Sequence, residues 1–247
     1  MFRPKKFWLS KKGPFTRAVG VEIEFLNSTE PLIKALDPVL KRWQAQRGHD
    51  GSIRTDGYIQ GSGVEVRTAP ASGDLFVKQI TQICNVLNKH GAVINDSCGL
   101  HVHIDARDFK KQELPKVAAI WDSYEKQFLR RVDPKRITNT YCVPWDGDLV
   151  SVVKAWKDGC ADDSECNCND CCEGMELDDK YRSFNVSPFL HDWGTWEIRS
   201  HQGTLDPKKI IDWATVCSNM VSYAKKTNLG GFARLKDKSL SRFERVI

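Results

Sequence analysis

The 247-residue chain has no apolar run long enough to span a bilayer, and its basic opening stretch, Met1 to Gly13, lacks the continuous apolar segment of a secretory signal. A protein that stays in the cytoplasm, without a membrane partner, is the expectation. No Pro/Gly/Ser-rich linker divides the sequence and no internal repeat occurs, so a single domain over 1–247 is expected, its one core drawn from the 40% hydrophobic content. Neither familiar glycine-rich phosphate loop is present, GxxxxGK[ST] or a strand-turn-helix GxGxxG, which excludes both of those ways of cradling phosphate. Nine cysteines, an odd number with no signal sequence, point to reduced thiols rather than a disulfide framework. Lys and Arg are missing altogether from Asp158 to Asp179, which holds nine acidic residues. Setting that segment aside leaves 37 basic against 23 acidic residues, +14 in place of the formal +5. Such a surplus suits an anionic partner, whether nucleotide, nucleic acid or acidic polymer, although basic residues scattered over a solvated surface give the same count.

What is present is periodicity. Arg17 to Phe25 sets Val19, Val21, Ile23 and Phe25 against Gly20, Glu22 and Glu24, the period of a half-buried strand. Leu32 to Trp43 has helical periodicity interrupted by Pro38 and predicts a broken or kinked helix. Asp50 to Arg67 predicts a turn followed by a strand containing Val64 and Val66. Leu75 to His90 is a helix with Phe76, Ile80, Ile83, Val86 and Leu87 on one face, Ser72 and Asp74 near its start and Gly91 beyond its end. Leu100 to Asp105 is a strand, Pro115 opens a second long helix, Thr195 to His201 is a strand, and Asp206-Pro207 caps a third helix. Strands and helices alternate irregularly, without evenly spaced βαβ units, which favours an α+β fold.

Each predicted strand carries a polar pair at spacing two: Glu22 and Glu24, Glu65 and Arg67, His101 and His103, Glu197 and Arg199. Such residues leave a strand on the same side, roughly 6.5 to 7 Å apart, close enough to hold neighbouring ions or an ion and its anionic ligand. A water-facing sheet surface would explain any single pair. Four strands offering only metal ligands and anion binders point instead to one shared site. Carboxylates with a single imidazole suit hard, oxygen-preferring Mg²⁺ or Mn²⁺ better than Zn²⁺. Arginines among them make sense where the metals hold phosphate, so the pattern reads as phosphoryl transfer from a nucleotide.

The ordered motifs Gly20-Val-Glu22-Ile-Glu24-Phe25, Asp50-Gly-Ser52, Glu65-Val-Arg67, Cys98-Gly-Leu-His101-Val-His103, Tyr181-Arg182-Ser-Phe-Asn185, Glu197-Ile-Arg199 and Gly203-Thr204-Leu205-Asp206 resemble the amidoligase family of phages, bacteria and fungi. That family is a branch of the superfamily containing glutamine synthetase and glutamate-cysteine ligase. The resemblance runs from about Gly20 to Trp213. It implies a glutamine-synthetase-like curved antiparallel sheet with helices packed on its outer face, binding ATP and two or three divalent ions, in the host cytoplasm if phage-encoded. It implies metal ligation by Glu22, Glu24, Glu65, His101 and Glu197, with His103 as a support or substrate contact, though a packed sheet histidine stays open. Arg199 matches the phosphate-binding arginine, with Arg67, Arg182 and Asn185 joining in cofactor binding, and Asp50 matches a residue placed near the nucleophile. The implied reaction is activation of a carboxylate as an acyl phosphate, followed by amine attack to form an amide or peptide bond. The carboxylate and amine could come from small molecules, peptides or proteins. Two rivals remain open at this point: a metal-dependent hydrolase or nuclease, and a metal-stabilised nucleic-acid-binding protein.

Cys160, Cys166, Cys168, Cys171 and Cys172 fall within the acidic segment, which interrupts the family pattern and reads as an insertion at about 157–179. Thiolate ligation of Zn²⁺ would order a loop too polar to fold around its own core; an acidic loop with free thiols is the alternative.

Overall fold

The computed structural model describes residues 7–55, 63–159, 179–191, 193–228 and 241–244. Among them six strands form one antiparallel sheet: β1 (Val19–Phe25), β2 (Gln46–His49), β3 (Val64–Arg67), β4 (Gly99–Asp105), β5 (Phe184–Asn185) and β6 (Thr195–Gln202). Their order is β2-β3-β1-β4-β6-β5. The longer helices are α1 (Glu30–Trp43), α2 (Gly73–Lys89), α3 (Leu114–Leu129), α4 (Leu149–Gly159) and α5 (Pro207–Lys226). The fold is α+β, as the irregular alternation of patterns predicts. No described helix is long and apolar enough to cross a membrane.

One face of the sheet is apolar because every second residue is. Val21, Ile23 and Phe25 of β1, Leu100, Val102 and Ile104 of β4, and Trp196 and Ile198 of β6 join the inner faces of the helices in one cluster. Leu32 and Leu36 of α1, Phe76 and Ile80 of α2, Trp121 of α3 and Trp213 of α5 complete it, all but Trp213 fully enclosed. Burying each large side chain contributes on the order of 2 kcal/mol, so the apolar face holds the strand registers in place.

Three details depart from the sequence pattern. α1 runs unbroken through Pro38, because that proline sits on the exposed side of the helix, where water can take over the carbonyl of the equally exposed Lys34. Ser72 precedes α2 without capping it; its hydroxyl instead accepts from Ser10 N and donates to Ser10 O, pinning the N-terminal segment. β2, β5 and α4 were not read from periodicity, since β2 and β5 are too short to show a period and β2 is almost wholly polar. Asp206 caps α5 as expected, accepting from Lys208 N and Lys209 N.

A buried carboxylate ties the α3 side of the molecule to β5. Glu125 is 1% exposed and accepts from Trp121 Nε1, Trp145 N, Asp146 N and the Ser183 hydroxyl. Ser183 leads directly into Phe184 and Asn185, so this acceptor fixes where β5 lies. Glu125→Gln places an amide donor against donors and should cost about 2 kcal/mol, with Glu125→Leu costing more. Urea titration monitored by circular dichroism checks both, and unchanged midpoints would exclude the structural role.

His201 of β6 gives a pH prediction. Burial, aided by the charges of Arg136 and Lys209, pushes its imidazole from the ordinary 6.5 to about 4. The unfolded chain therefore takes up a proton, as pH falls from 6.5 towards 4, that the folded chain refuses. Stability is fully present above 6.5 and declines through that window by roughly 3 kcal/mol. His201→Phe, which keeps a ring beside Trp213 (4.9 Å between centroids), should flatten the fall in thermal midpoint between neutral and mildly acid buffer.

Candidate active site

The face of the sheet opposite the helices gathers the polar pairs into rows. Glu22 of β1 stands between Arg67 of β3 and His101 of β4. Glu24 stands opposite Glu65. His103 stands opposite Glu197 of β6, and Asn185 of β5 stands opposite Glu197 from the far side. The four predicted strands thus place their ligand-bearing residues on one continuous surface.

Within it, Glu22, His103 and Glu197 each offer one ligand atom, all within 4.8 Å of one another. His103 Nε2 lies 3.5 Å from Glu22 Oε1 and 3.6 Å from Glu197 Oε1. It is buried and makes no hydrogen bond. The other ring nitrogen, Nδ1, lies 3.2 Å from the Thr195 hydroxyl. With Nδ1–H donating to Thr195, Nε2 presents a lone pair to two carboxylates, an arrangement that calls for a proton or a cation between them. The donor set therefore fits a divalent ion, and it places His103, expected from the sequence as a support or substrate contact, among the candidate ligands.

His101 is held differently. Its Nδ1 is 2.9 Å from Glu22 Oε2 and 3.7 Å from Glu197 Oε1, and its Nε2 is 3.4 Å from Glu24 Oε1. It bridges the two acids of β1. Glu24 is buried and accepts from Gly99 N at 2.6 Å, a backbone donor that offsets its charge. Gly99 leaves room for this packing: a Cβ there would stand 2.8 Å from Arg136 Nη2 and 3.0 Å from His101 Nε2. Glu65 pairs with Arg67 at 3.1 Å, next to Glu24 and outside the triad.

The charges are strongly coupled. Burial alone would raise the Glu22 carboxyl, but the neighbouring imidazoles of His101 and His103 outweigh it and hold it well below the usual carboxylate range. Burial likewise opposes the charged form of Glu197, and the Arg199 guanidinium, with His103, pulls it down regardless. Glu65 goes the other way: desolvation and the nearby charge of Glu22 push it up to about 7.

Arg199 donates from Nη1 to Glu197 Oε1 at 2.6 Å, and Asn185 Nδ2 donates to Glu197 Oε2 at 2.6 Å, so both oxygens of that acid are oriented. Arg182, singled out in the sequence, makes no described contact with the cluster, whereas Asp50 reaches it through its charge, which adds to the upward push on Glu65. The Arg182 guanidinium lies 4.5 Å from the Trp145 ring centroid and pairs with Asp179 at 3.3 Å. Asp50 Oδ1 accepts from Ser52 N and the Ser52 hydroxyl, a local turn at the end of β2. The cysteine cluster from Cys160 to Cys172 lies outside the described residues. The four described cysteines, Cys84, Cys98, Cys142 and Cys217, are buried and unpaired.

Arg136 is the residue that sequence reasoning missed. It is 3% exposed, donates from Nη2 to Arg199 O at 3.1 Å, and leaves Nε without a partner. Nothing in Pro134-Lys-Arg-Ile137 distinguishes it from a solvated basic turn. Asp105 was within reach of the sequence, since it continues the His101, His103 spacing by one more step of two.

Comparison with protein families matches residues 36–221 to a family described as "Putative amidoligase enzyme". No curated protein matches the chain significantly. The matched span contains Glu65, His101, His103, Asn185, Glu197 and Arg199, and it stops short of Glu22 and Glu24, which β1 carries into the same surface. With a match over well more than half its length, drawn together on one sheet face, the chain belongs to the amidoligase family.

Proposed function

We propose that this protein is an ATP- and Mg²⁺-dependent carboxylate-amine ligase, built on a glutamine-synthetase-like sheet, that forms an amide or peptide bond through an acyl phosphate. The observation that carries the reading is the buried, unpartnered His103 Nε2 set between Glu22 and Glu197, with Arg67 and Arg199 on either side. A carboxylate ligand set of this kind suits Mg²⁺ or Mn²⁺. When bound, the ions supply charge neutralisation for the phosphate chain.

The chain's own residues supply the rest. Glu22, Glu197 and His103 would hold one ion, and Glu24 and Glu65 lie where they could serve a second. Asn185 and Arg199 keep the Glu197 carboxylate turned toward the site. Arg199 keeps donors for a transferred phosphoryl group, since a guanidinium offers five N–H groups and the described contacts use one on Glu197 and one on the Tyr141 carbonyl. A substrate carboxylate oxygen attacks the terminal phosphorus of ATP, the bond to the bridging oxygen breaks, and ADP leaves with that electron pair. The amine nitrogen then adds to the acyl carbon, phosphate departs, and the nitrogen loses its proton. Activation must come first, because an unactivated carboxylate has no viable leaving group.

Glu22→Gln, Glu24→Gln and Glu197→Gln should each abolish ATP turnover in folded protein. For Glu22 and Glu197, Mn²⁺ affinity measured by calorimetry should fall by more than the roughly 10- to 100-fold typical of losing an outer-shell partner. Wild-type turnover in any two of the three would refute a shared site.

The chemistry itself is tested with hydroxylamine in place of the unknown amine. With ATP, Mg²⁺ and a panel of carboxylates, the expected products are ADP, phosphate and a hydroxamate. Release of AMP and pyrophosphate would eliminate the acyl phosphate, and metal-dependent cleavage of a substrate without ATP would favour a hydrolase.

A further inference from the structure

A pit of about 240 Å³ opens in the sheet face beside the carboxylate cluster. Its origin is legible on β1, where the residues sharing the ligand face run Ala18, Gly20, Glu22, Glu24. The first two have almost no side chain, so the surface drops away where the ligands end. Pro70, Phe7 and Trp193 wall the pit, and Glu22, His103 and Arg67 form its border with the cluster. The Trp193 ring lies nearly parallel to that of His103, 27° apart with centroids at 6.1 Å.

Away from the border with the cluster, where Arg67 Nε and His103 Nε2 make no hydrogen bond, the polar side chains of the pit already have partners. Asp105 accepts from Arg107 Nε and Nη2 at 2.7 and 2.9 Å. The Thr195 hydroxyl is bonded to His103 Nδ1, and the Thr68 hydroxyl accepts from Val21 N at 2.8 Å. What the described walls offer a ligand is flat apolar and aromatic surface, which grips a ring by its face and does not read its hydrogen-bonding edge.

Resting on the ligase reading above, we propose that this pit holds the nucleobase of the nucleoside triphosphate by stacking. The placement follows from the two arginines. Arg67 on β3 borders the pit, and Arg199 on β6 lies across β1 and β4, three strand spacings or about 14 Å away. A base in the pit sends the phosphate chain past Arg67, over Glu22, His103 and Glu197, and delivers its terminal phosphoryl group toward Arg199. The opposite orientation would leave the base over Tyr141 and Tyr181, an edge-to-face pair 41% and 38% exposed, where no described residue walls it in.

Gly20 provides the test. Its φ is not positive, and a Cβ there would meet only Thr68, at 3.4 Å or more, so a larger side chain can extend into the pit without straining the strand. Binding of a non-hydrolysable ATP analogue with Mg²⁺ is measured by calorimetry on wild type, Gly20→Leu, Trp193→Leu and Tyr181→Ala. Mn²⁺ binding and thermal midpoint are recorded for each. Gly20→Leu should lose nucleotide affinity at least 30-fold and Trp193→Leu roughly 10-fold, while both keep Mn²⁺ binding and Tyr181→Ala keeps everything. On wild type, the corresponding GTP analogue should bind within about tenfold of the ATP analogue, because every base has a face to stack. Wild-type affinity in folded Gly20→Leu and Trp193→Leu, or loss in Tyr181→Ala alone, overturns the assignment of the pit. Discrimination beyond about 100-fold between the two analogues overturns grip by stacking, since a ratio that large needs a read edge. Failure of wild type to bind any nucleotide while it still binds Mn²⁺ removes the ligase reading itself, a result separate from the others.

Discussion

Four carboxylates on one sheet face repel one another, and the free energy of bringing them together must be offset by opposite charge placed just as closely. Glu22, Glu24, Glu65 and Glu197 satisfy this requirement in four different ways. Glu22 has two imidazoles, Glu24 has a backbone N–H and a more distant His101 nitrogen, Glu65 has Arg67, and Glu197 has Arg199 and Asn185. Arg136 adds a buried positive charge behind His101, where no described carboxylate lies within ion-pair range of it. The partial compensation matters. Fully neutralised acids would have no remaining attraction for a divalent ion, whereas Glu22, His103 and Glu197 keep unsatisfied capacity directed at a common point.

Such a face can exist only because the other face is so apolar. In a strand the side-chain period is two, so a one-residue slip of β1 would drive Glu22 and Glu24 into the aromatic core and put Ile23 in their place. Trp121, Phe184 and Trp196 stacked at 4.7 and 5.9 Å make that slip prohibitive on the β5–β6 side. The same core anchors α3, whose Glu125 reaches across to Ser183 and locates Asn185. The orientation of one candidate ligand, Glu197, therefore depends on a buried hydrogen-bond network whose acceptor lies on a helix beyond the sheet.

Much of this was legible in the sequence because both of its signals are periodic. The strands carrying Glu22, Glu65, His101 and Glu197 and the helices carrying Phe76, Trp121 and Trp213 follow from spacings of two and of three to four, and those spacings also predicted that the polar pairs share a face. Signals without a period were not legible. β2 and β5 gain their structure from the strands they pair with. Arg136 is buried beside the candidate site and ordinary in sequence, since its burial comes from the meeting of a one-turn helix with β6. Arg182 and Asp50 sit in motif-like strings, and in the structure they have local partners, Trp145 with Asp179 and Ser52.

The different surroundings of the two histidines show where one-dimensional reading must stop. His101 and His103 leave β4 on the same side, so spacing cannot say which joins the acids of neighbouring strands. The β4–β6 register decides it. His103 lies directly opposite Glu197, but the register shifts between Leu100 and Val102, so that Arg199 and Ser200 together stand opposite His101. The extra residue leaves no acid of β6 directly opposite His101, whose Nδ1 is 3.7 Å from Glu197 Oε1 but 2.9 Å from Glu22 Oε2. His101 thus lies closest to the two acids of β1, and His103 falls between Glu22 and Glu197. A single irregularity in one strand thus helps to place two identical side chains differently among the same acids.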